Sequence, residues 1–581
     1  MRFEAILQAR LPQRDLQRLT LVQAHPARLH EWTMALPKVN VGESSRRIYQ
    51  TLQELNRLQT DARSRLGMLE ALRPTVYFLC DALARHYLGL PVSLPEKASK
   101  VATLAQAMQN HLATGYKSVC ADLLPRRQDP ESQRLLALAC HRAISDLSTT
   151  LVRCMQLYLG PTPQAWQELH ALYVLSEQTG LASIRINDPT RQHVADSTIG
   201  DAYLRALLMA TCRAQQMRQS DIMQTYIASE EWTALVHIQP DDGLSGLHFF
   251  EPALDAPPTQ RRRQGHGELW VLSCEGLVGH LQDTLTQTAA QLRVTHHKQL
   301  SHDLLRHLIH AWGDLSERGF KRIGSAGQLM LSVGMSATHY FLAHETEFEA
   351  SLQRGQDSTS LLEDFKDRLH SAQIAIDPWG SGHYFGETNA EGQLAEIEFT
   401  GKSAESGPAY RKYACQIVNT SPGGYGLRWD TTMPTSVRTG ELIGLSEANQ
   451  QHASLGAIRW LQQLPGAGAF LGVEILAPQV LPCGARLLRP NTEQGEFLRA
   501  FLIPEMSSIQ RPATIILPNL IFRSGARIQL RLHGEEQTQE LGRMLRSTPS
   551  FCQFELGAHK NNKPNKTPPA EENFDSIWSS L

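Results

Sequence analysis

Cys415-Gln416-Ile417-Val418-Asn419-Thr420-Ser421-Pro422-Gly423-Gly424-Tyr425-Gly426-Leu427-Arg428-Trp429 has the pattern of a strand, a polar glycine turn and a second strand. An amide, a hydroxyl and two glycines meet at that turn. Asn419 can pair with a base edge or order the turn, and Ser421 can donate to a phosphate or cap the turn. Gly423 and Gly424 let backbone and ligand approach closely. Upstream, Arg318 and Arg322 lie four positions apart. A planar guanidinium can donate two bonds to a phosphate or to guanine O6 and N7, and it stacks on base faces; two of them answer two negative charges. The same residues would also serve as a structural turn and two solvated charges.

Asn419, Ser421 and Gly424 occupy the three defining positions of a [D/N]xSxxG element, and Arg318-Gly319-Phe320-Lys321-Arg322 is an RxxxR element shortly before the strand-like run 328–334. The runs 440–445, 456–460 and 470–476 follow as later strands. In these motifs and in their order, the segment from about Arg318 to Pro482 resembles the PilZ family of cyclic di-GMP receptors. The resemblance implies a small β-barrel and cyclic di-GMP as ligand, with no cofactor. It implies Arg318, Arg322, Asn419, Ser421, Gly423 and Gly424 as the ligand-binding residues. RxxxR alone is uninformative, since Arg10/Arg14 and Arg523/Arg527 also satisfy it, so strand context and order carry the weight. The two elements stand 97 residues apart (419 − 322), farther than the family pattern, which implies a polar insertion at about 344–410 between the first two barrel strands. Loop closure costs only about 0.6 kcal/mol per doubling of length, so such an insertion is tolerable.

These elements need a scaffold, and a chain of 581 residues is too long for one core. Apolar residues at helical spacing, as in Leu52, Leu55 and Leu58 or Leu66, Leu69 and Leu72, predict an all-α domain over 1–223 with about seven to nine helices. The run Ala165–Tyr173 resembles the first helix of a tetratricopeptide repeat, with Trp166, Leu169 and Tyr173 in place. His170 replaces the usual glycine, and no clean second copy follows at the repeat period. Alternating runs then predict a connecting α+β region over 224–312, the PilZ-like barrel over 313–482 and a second small β module over 483–557. Residues 558–581 are expected to be a disordered tail ending in an amphipathic peptide. There Phe574, Ile577, Trp578 and Leu581 share one helical face that could bind a protein partner. The fold class is therefore multidomain: all-α, then α+β, then all-β.

Composition narrows the function. Lys and Arg total 56 against 58 Asp and Glu, so no global field attracts DNA, and no apolar run is long enough for membrane insertion. Nine scattered cysteines without a CxxC pair fit reduced thiols and a cytoplasmic location. His296, His297, His302, His307 and His310 read as a solvated helix rather than a metal site, because no HExxH or carboxylate stands at ligand spacing. Neither a Walker A motif nor a GxSxG elbow occurs, so no enzyme is expected. The expectation is a bacterial cyclic di-GMP-binding effector or adaptor that signals to an unidentified protein partner through its helical region. A nucleotide-independent scaffold and an RNA-binding protein are the alternatives.

Overall fold

The helical periodicity produces α1 (Phe3–Gln8), α2 (Pro26–Ala35), α3 (Val41–Arg57), α4 (Ala62–Ala84), α5 (Glu96–Leu123), α6 (Pro130–Gln156), α7 (Ala165–Gln178), α8 (Ile199–Thr211) and α9 (Gln219–Trp232). The computed structural model describes residues 3–37, 39–243, 246–260, 267–286, 300–314, 323–353, 410–447, 453–464, 468–488, 495–505, 512–519 and 521–557. Polar caps start the helices: Asn40, Asp61 and Asp129 each accept the amide three residues on, and Thr198 with Asp201 forms a capping box. Trp166, Leu169 and Tyr173 of α7 are buried. His170 bridges the Tyr203 hydroxyl (2.6 Å) and the Ala256 carbonyl (3.0 Å), bonds that a glycine could not make.

A short ribbon, β1 (Ile186–Asn187) and β2 (Asp196–Ser197), separates α7 from α8. It is anchored through Asp188, whose carboxylate takes the buried Arg73 guanidinium at 2.6 Å. After α9 come β3 (His237–Pro240), β4 (His248–Phe250) and β5 (Trp270–Ser273), in sheet order β3-β5-β4, and then α10 (Glu275–Thr286) and α11 (His302–Gly313). Phe250, Leu272, Leu277, Leu308 and Trp312 from this region join the same apolar core as the preceding helices. Among the described residues, no helix is long and apolar enough to cross a membrane.

The middle of the chain supplies β6 (Ile323–Gly324), β7 (Gln328–Val333), α12 (Met335–Leu342), α13 (Phe348–Gln353), β8 (Tyr413–Ser421), β9 (Gly424–Trp429), β10 (Leu442–Glu447), β11 (Ser454–Leu464) and β12 (Gly468–Ala477). The order β6-β8-β7-β10-β11-β12-β9 closes into a barrel because β8 also pairs with β9. Alternate residues face in, as the period of two requires: Leu329, Leu331 and Val333, then Leu427 and Trp429, then Leu471 and Val473. Leu329 lies opposite Cys415, so β7 and β8 are neighbours although they stand far apart in the chain. Of the polar segment between them, 354–409 lie outside the described residues. Val92 and Tyr158 of the helical region join this barrel's core.

A second closed barrel, in order β13-β14-β15-β18-β17-β16, contains β13 (Leu481–Leu487), β14 (Leu498–Ile503), β15 (Thr514–Pro518), β16 (Arg527–Leu532), β17 (Glu535–Ser547) and β18 (Phe551–Leu556). It has its own core around Ala485, Ile515, Leu517, Ile528 and Phe554. The barrels are joined by a further apolar cluster in which Leu442, Leu455 and Leu476 meet Phe501, Ile516 and Phe551. The chain is thus helical first and ends in two β-barrels. Phe574, Ile577, Trp578 and Leu581 lie outside the described residues.

Candidate functional site

The polar turn forms a hairpin in which Ser421 faces Gly424, Thr420 faces Tyr425 and Asn419 faces Gly426. Pro422 and Gly423 form the connection. On β8, Cys415 is buried in the core and Ile417 packs against it, so strict alternation would turn Asn419 inward as well. It does not, because the register slips between Ile417 and Asn419 and leaves Val418 as an extra residue. That bulge re-aims Asn419 and Ser421 to the outer surface of the barrel.

Three glycines keep this surface low. A Cβ on Gly424 would stand 1.9 Å from the Val473 carbonyl oxygen, and one on Gly426 would stand 2.6 Å from Asn419 Oδ1. A Cβ on Gly472 would stand 1.8 Å from Trp460 Nε1. Asn419, Gly426, Gly472 and Trp460 are successive partners across β8, β9, β12 and β11. Asn419 and Trp460 therefore cover a glycine pair from opposite sides. The Ser421 hydroxyl donates to the Gly424 carbonyl at 3.2 Å, and the Ile475 amide donates to the Gly423 carbonyl at 3.0 Å, so the turn is held closed and tied to β12.

The next row ends in charge. Glu474 is the Cα partner of Gly424, and its carboxylate receives Arg459 at 2.6 Å and Arg546 at 2.7 Å. Burial alone would raise this carboxyl, but the two guanidiniums outweigh it and hold it below the ordinary glutamate value.

Arg318 and Arg322 lie outside the described residues, but the chain that follows them is placed. Ile323 pairs with Thr420 and Gly324 with Asn419, so β6 runs along the motif strand. Residues 27–242, 247–482 and 483–558 match the family descriptions "Cyclic-di-GMP receptor FimW, N-terminal domain", "Cyclic-di-GMP receptor FimW, middle PilZ domain" and "FimW C-terminal beta-barrel domain". Over 613 aligned residues the chain is 37% identical to the cyclic-di-GMP receptor FimW of Pseudomonas aeruginosa, spanning 99% of each. The chain belongs to the FimW family. No solved structure matches it.

Within this FimW-family chain the structure brings Asn419, Ser421, Gly423 and Gly424 together with residues that the motif did not name: Gly426, Trp460, Gly472 and Glu474. An isolated glycine in a strand signals close approach of another group, and Gly472 carried that signal. The partnership with Trp460 depends on register, which is a long-range property. The histidines have other work. His307 Nε2 meets the Cys212 carbonyl at 2.8 Å, and His310 pairs with Asp314. Among the described residues no cluster of three metal-ligating side chains occurs, and His296 and His297 lie outside them. A cavity of about 50 Å³ where Arg218, His307, Thr439 and Pro549 converge has room for a few waters and is far too small for a dinucleotide.

Proposed function

We propose that this chain is a cytoplasmic cyclic di-GMP receptor that binds the nucleotide on the outer face of its PilZ barrel and signals to a protein partner through its helical region. The observation that carries this reading is the pairing of Ile323 with Thr420 and Gly324 with Asn419. Arg322 immediately precedes Ile323 in the sequence. That adjacency in sequence supports reading the arginine element as a companion of the [D/N]xSxxG element despite the long separation between them. Arg318 and Arg322 would hold phosphates and guanine edges, Asn419 would read a base edge, and Ser421 with Gly423 and Gly424 would line the backbone approach. The FimW relative, a named cyclic-di-GMP receptor matched end to end, supports the same ligand.

Transmission is supported by how closely the helices dock on the barrel. The Gln463 amide of β11 donates to the Tyr158 carbonyl at 2.7 Å, beside a bridge between Leu159 and Gln463. Nucleotide binding shifts that docking only if the two arrangements differ in affinity for the ligand. All nine cysteines are buried free thiols, which fits a reducing compartment.

The test is calorimetry of the full chain with cyclic di-GMP, GMP and cyclic di-AMP, repeated with Arg318→Ala, Arg322→Ala and Ser421→Ala. Saturable, guanine-selective heat that the arginine changes abolish is expected. Absence of heat at high ligand concentration would leave a scaffold barrel instead.

A further inference from the structure

Three consecutive residues of β12 hold the two glycines of the motif. The Val473 carbonyl oxygen fills the space that a Cβ on Gly424 would take, Glu474 is Gly424's Cα partner, and the Ile475 amide bonds the Gly423 carbonyl. The middle residue reaches into the other barrel. Glu474 Oε1 accepts from Arg546 Nη2 of β17 at 2.7 Å, and the two side chains are only 21% and 6% exposed.

Arg546 is aimed there by an irregularity of its own strand. Met544 faces Phe554 and Arg546 faces Gln553, so Leu545 is an extra residue on β17. Bulges of this kind redirect a side chain and are costly to keep without a reason. Each strand, β8 and β17, thus carries a bulge beside a residue that reaches the row around Gly424.

We propose that Arg546 is a positioning residue of the nucleotide site: by fixing Glu474 it holds the Gly423–Gly424 turn in shape, so that the C-terminal barrel sets the affinity of the PilZ barrel for its ligand. This rests on the cyclic di-GMP reading above. Removing one partner of a buried ion pair leaves the other to rearrange toward remaining charge, and for Glu474 that is Arg459 on β11, away from the turn. Linkage makes the effect reciprocal. A partner that binds the C-terminal barrel and displaces Arg546 changes nucleotide affinity by the factor with which nucleotide changes that partner's affinity.

The experiment is titration of the full chain with cyclic di-GMP for wild type, Arg546→Met, Arg546→Lys, Glu474→Gln and the double variant Arg546→Met/Glu474→Gln. Amide resonances of Gly423 and Gly424 are followed in ¹⁵N-glycine-labelled, ligand-free protein. Arg546→Met is expected to weaken binding about tenfold or more, with Lys restoring most of it. The double variant should be no weaker than the worse single one, because the pair acts as a unit, and the Gly424 resonance should move before ligand is added. Ile528→Val, in the core of the second barrel and opposite Leu487 and Gln539 rather than the Met544–Arg546 bulge, controls for general loss of stability. Arg546→Met binding as wild type, or Ile528→Val weakening binding as much, overturns the proposal and leaves the receptor reading intact. A wild-type chain that does not bind overturns both.

Discussion

Gly426 and Gly472 face each other on neighbouring strands, and each lies beneath a side chain from the strand beyond it: Asn419 over Gly426 and Trp460 over Gly472. The pair has a polar amide on one side and an indole on the other. A side chain added at either position meets Asn419 or Trp460 rather than the barrel core.

Gly426→Ala should therefore be mild for folding and severe for the ligand. The atoms that its Cβ would meet, Asn419 Oδ1 at 2.6 Å and Nδ2 at 2.8 Å, are the far end of a side chain that can swing away. The swing removes the amide from the base edge it would read. Expected is a loss of about tenfold or more in cyclic di-GMP affinity by calorimetry, about 1.4 kcal/mol, with a thermal midpoint close to wild type. Unchanged affinity would show that Asn419 only orders the turn.

Gly424→Ala should do the reverse to stability. Its Cβ meets the Val473 carbonyl oxygen at 1.9 Å, and backbone cannot step aside without parting β9 from β12. Overpacking of this kind costs about 1–3 kcal/mol or more, readable as a lower urea midpoint at constant slope. A variant as stable as wild type would mean that β12 is free to move there.

Much of the barrel was legible because its signals are local. The strands of the 415–429 hairpin, the turn at Pro422–Gly423 and the later runs all follow from alternation and turn chemistry. The separation between Arg322 and Asn419 could be read as an insertion because the strand order on either side of it was intact. What alternation hid was the bulge at Val418, which decides that Asn419 faces out; the same residues without a slip would have buried it. Glu474 and Arg546 were invisible for a different reason. A charged residue in a strand reads as surface, whereas this pair bridges the two barrels and is mostly buried.

Acid should unfold the chain through histidines rather than through the site. Burial pushes His170, His248, His307 and His339 down to about 4. The unfolded chain protonates these imidazoles near pH 6.5, so it binds more protons than the native state in between. The stability they confer is fully present above about pH 6.5 and is lost as pH falls toward about 4, at about 3 kcal/mol for each group. Thermal midpoints should therefore fall steeply across that window, and His170→Gln should flatten the slope. A midpoint independent of pH between 6.5 and 4 would contradict the buried neutral imidazoles.

The junction of the helices with both barrels should be where a nucleotide signal leaves the PilZ barrel. Arg218, at the start of α9, donates to the Thr439 carbonyl of the first barrel at 3.3 Å and to the Ser550 hydroxyl of the second at 3.2 Å. Ser550 in turn donates to Glu441 at 2.7 Å, and burial raises that carboxyl above its ordinary value. One side chain thus spans three bodies, and any ligand that re-poses the barrels against the helices must change its geometry. Each lost bond costs only about 0.5–1.5 kcal/mol, so Arg218→Met should fold. Hydrogen exchange in α9 should respond to cyclic di-GMP in the wild type, and that response should shrink in Arg218→Met. A coupling of about 1–3 kcal/mol is large enough to be read this way. If α9 responds equally in both proteins, the signal travels instead through the Tyr158 and Gln463 contact, another place where the helices bond the barrel backbone.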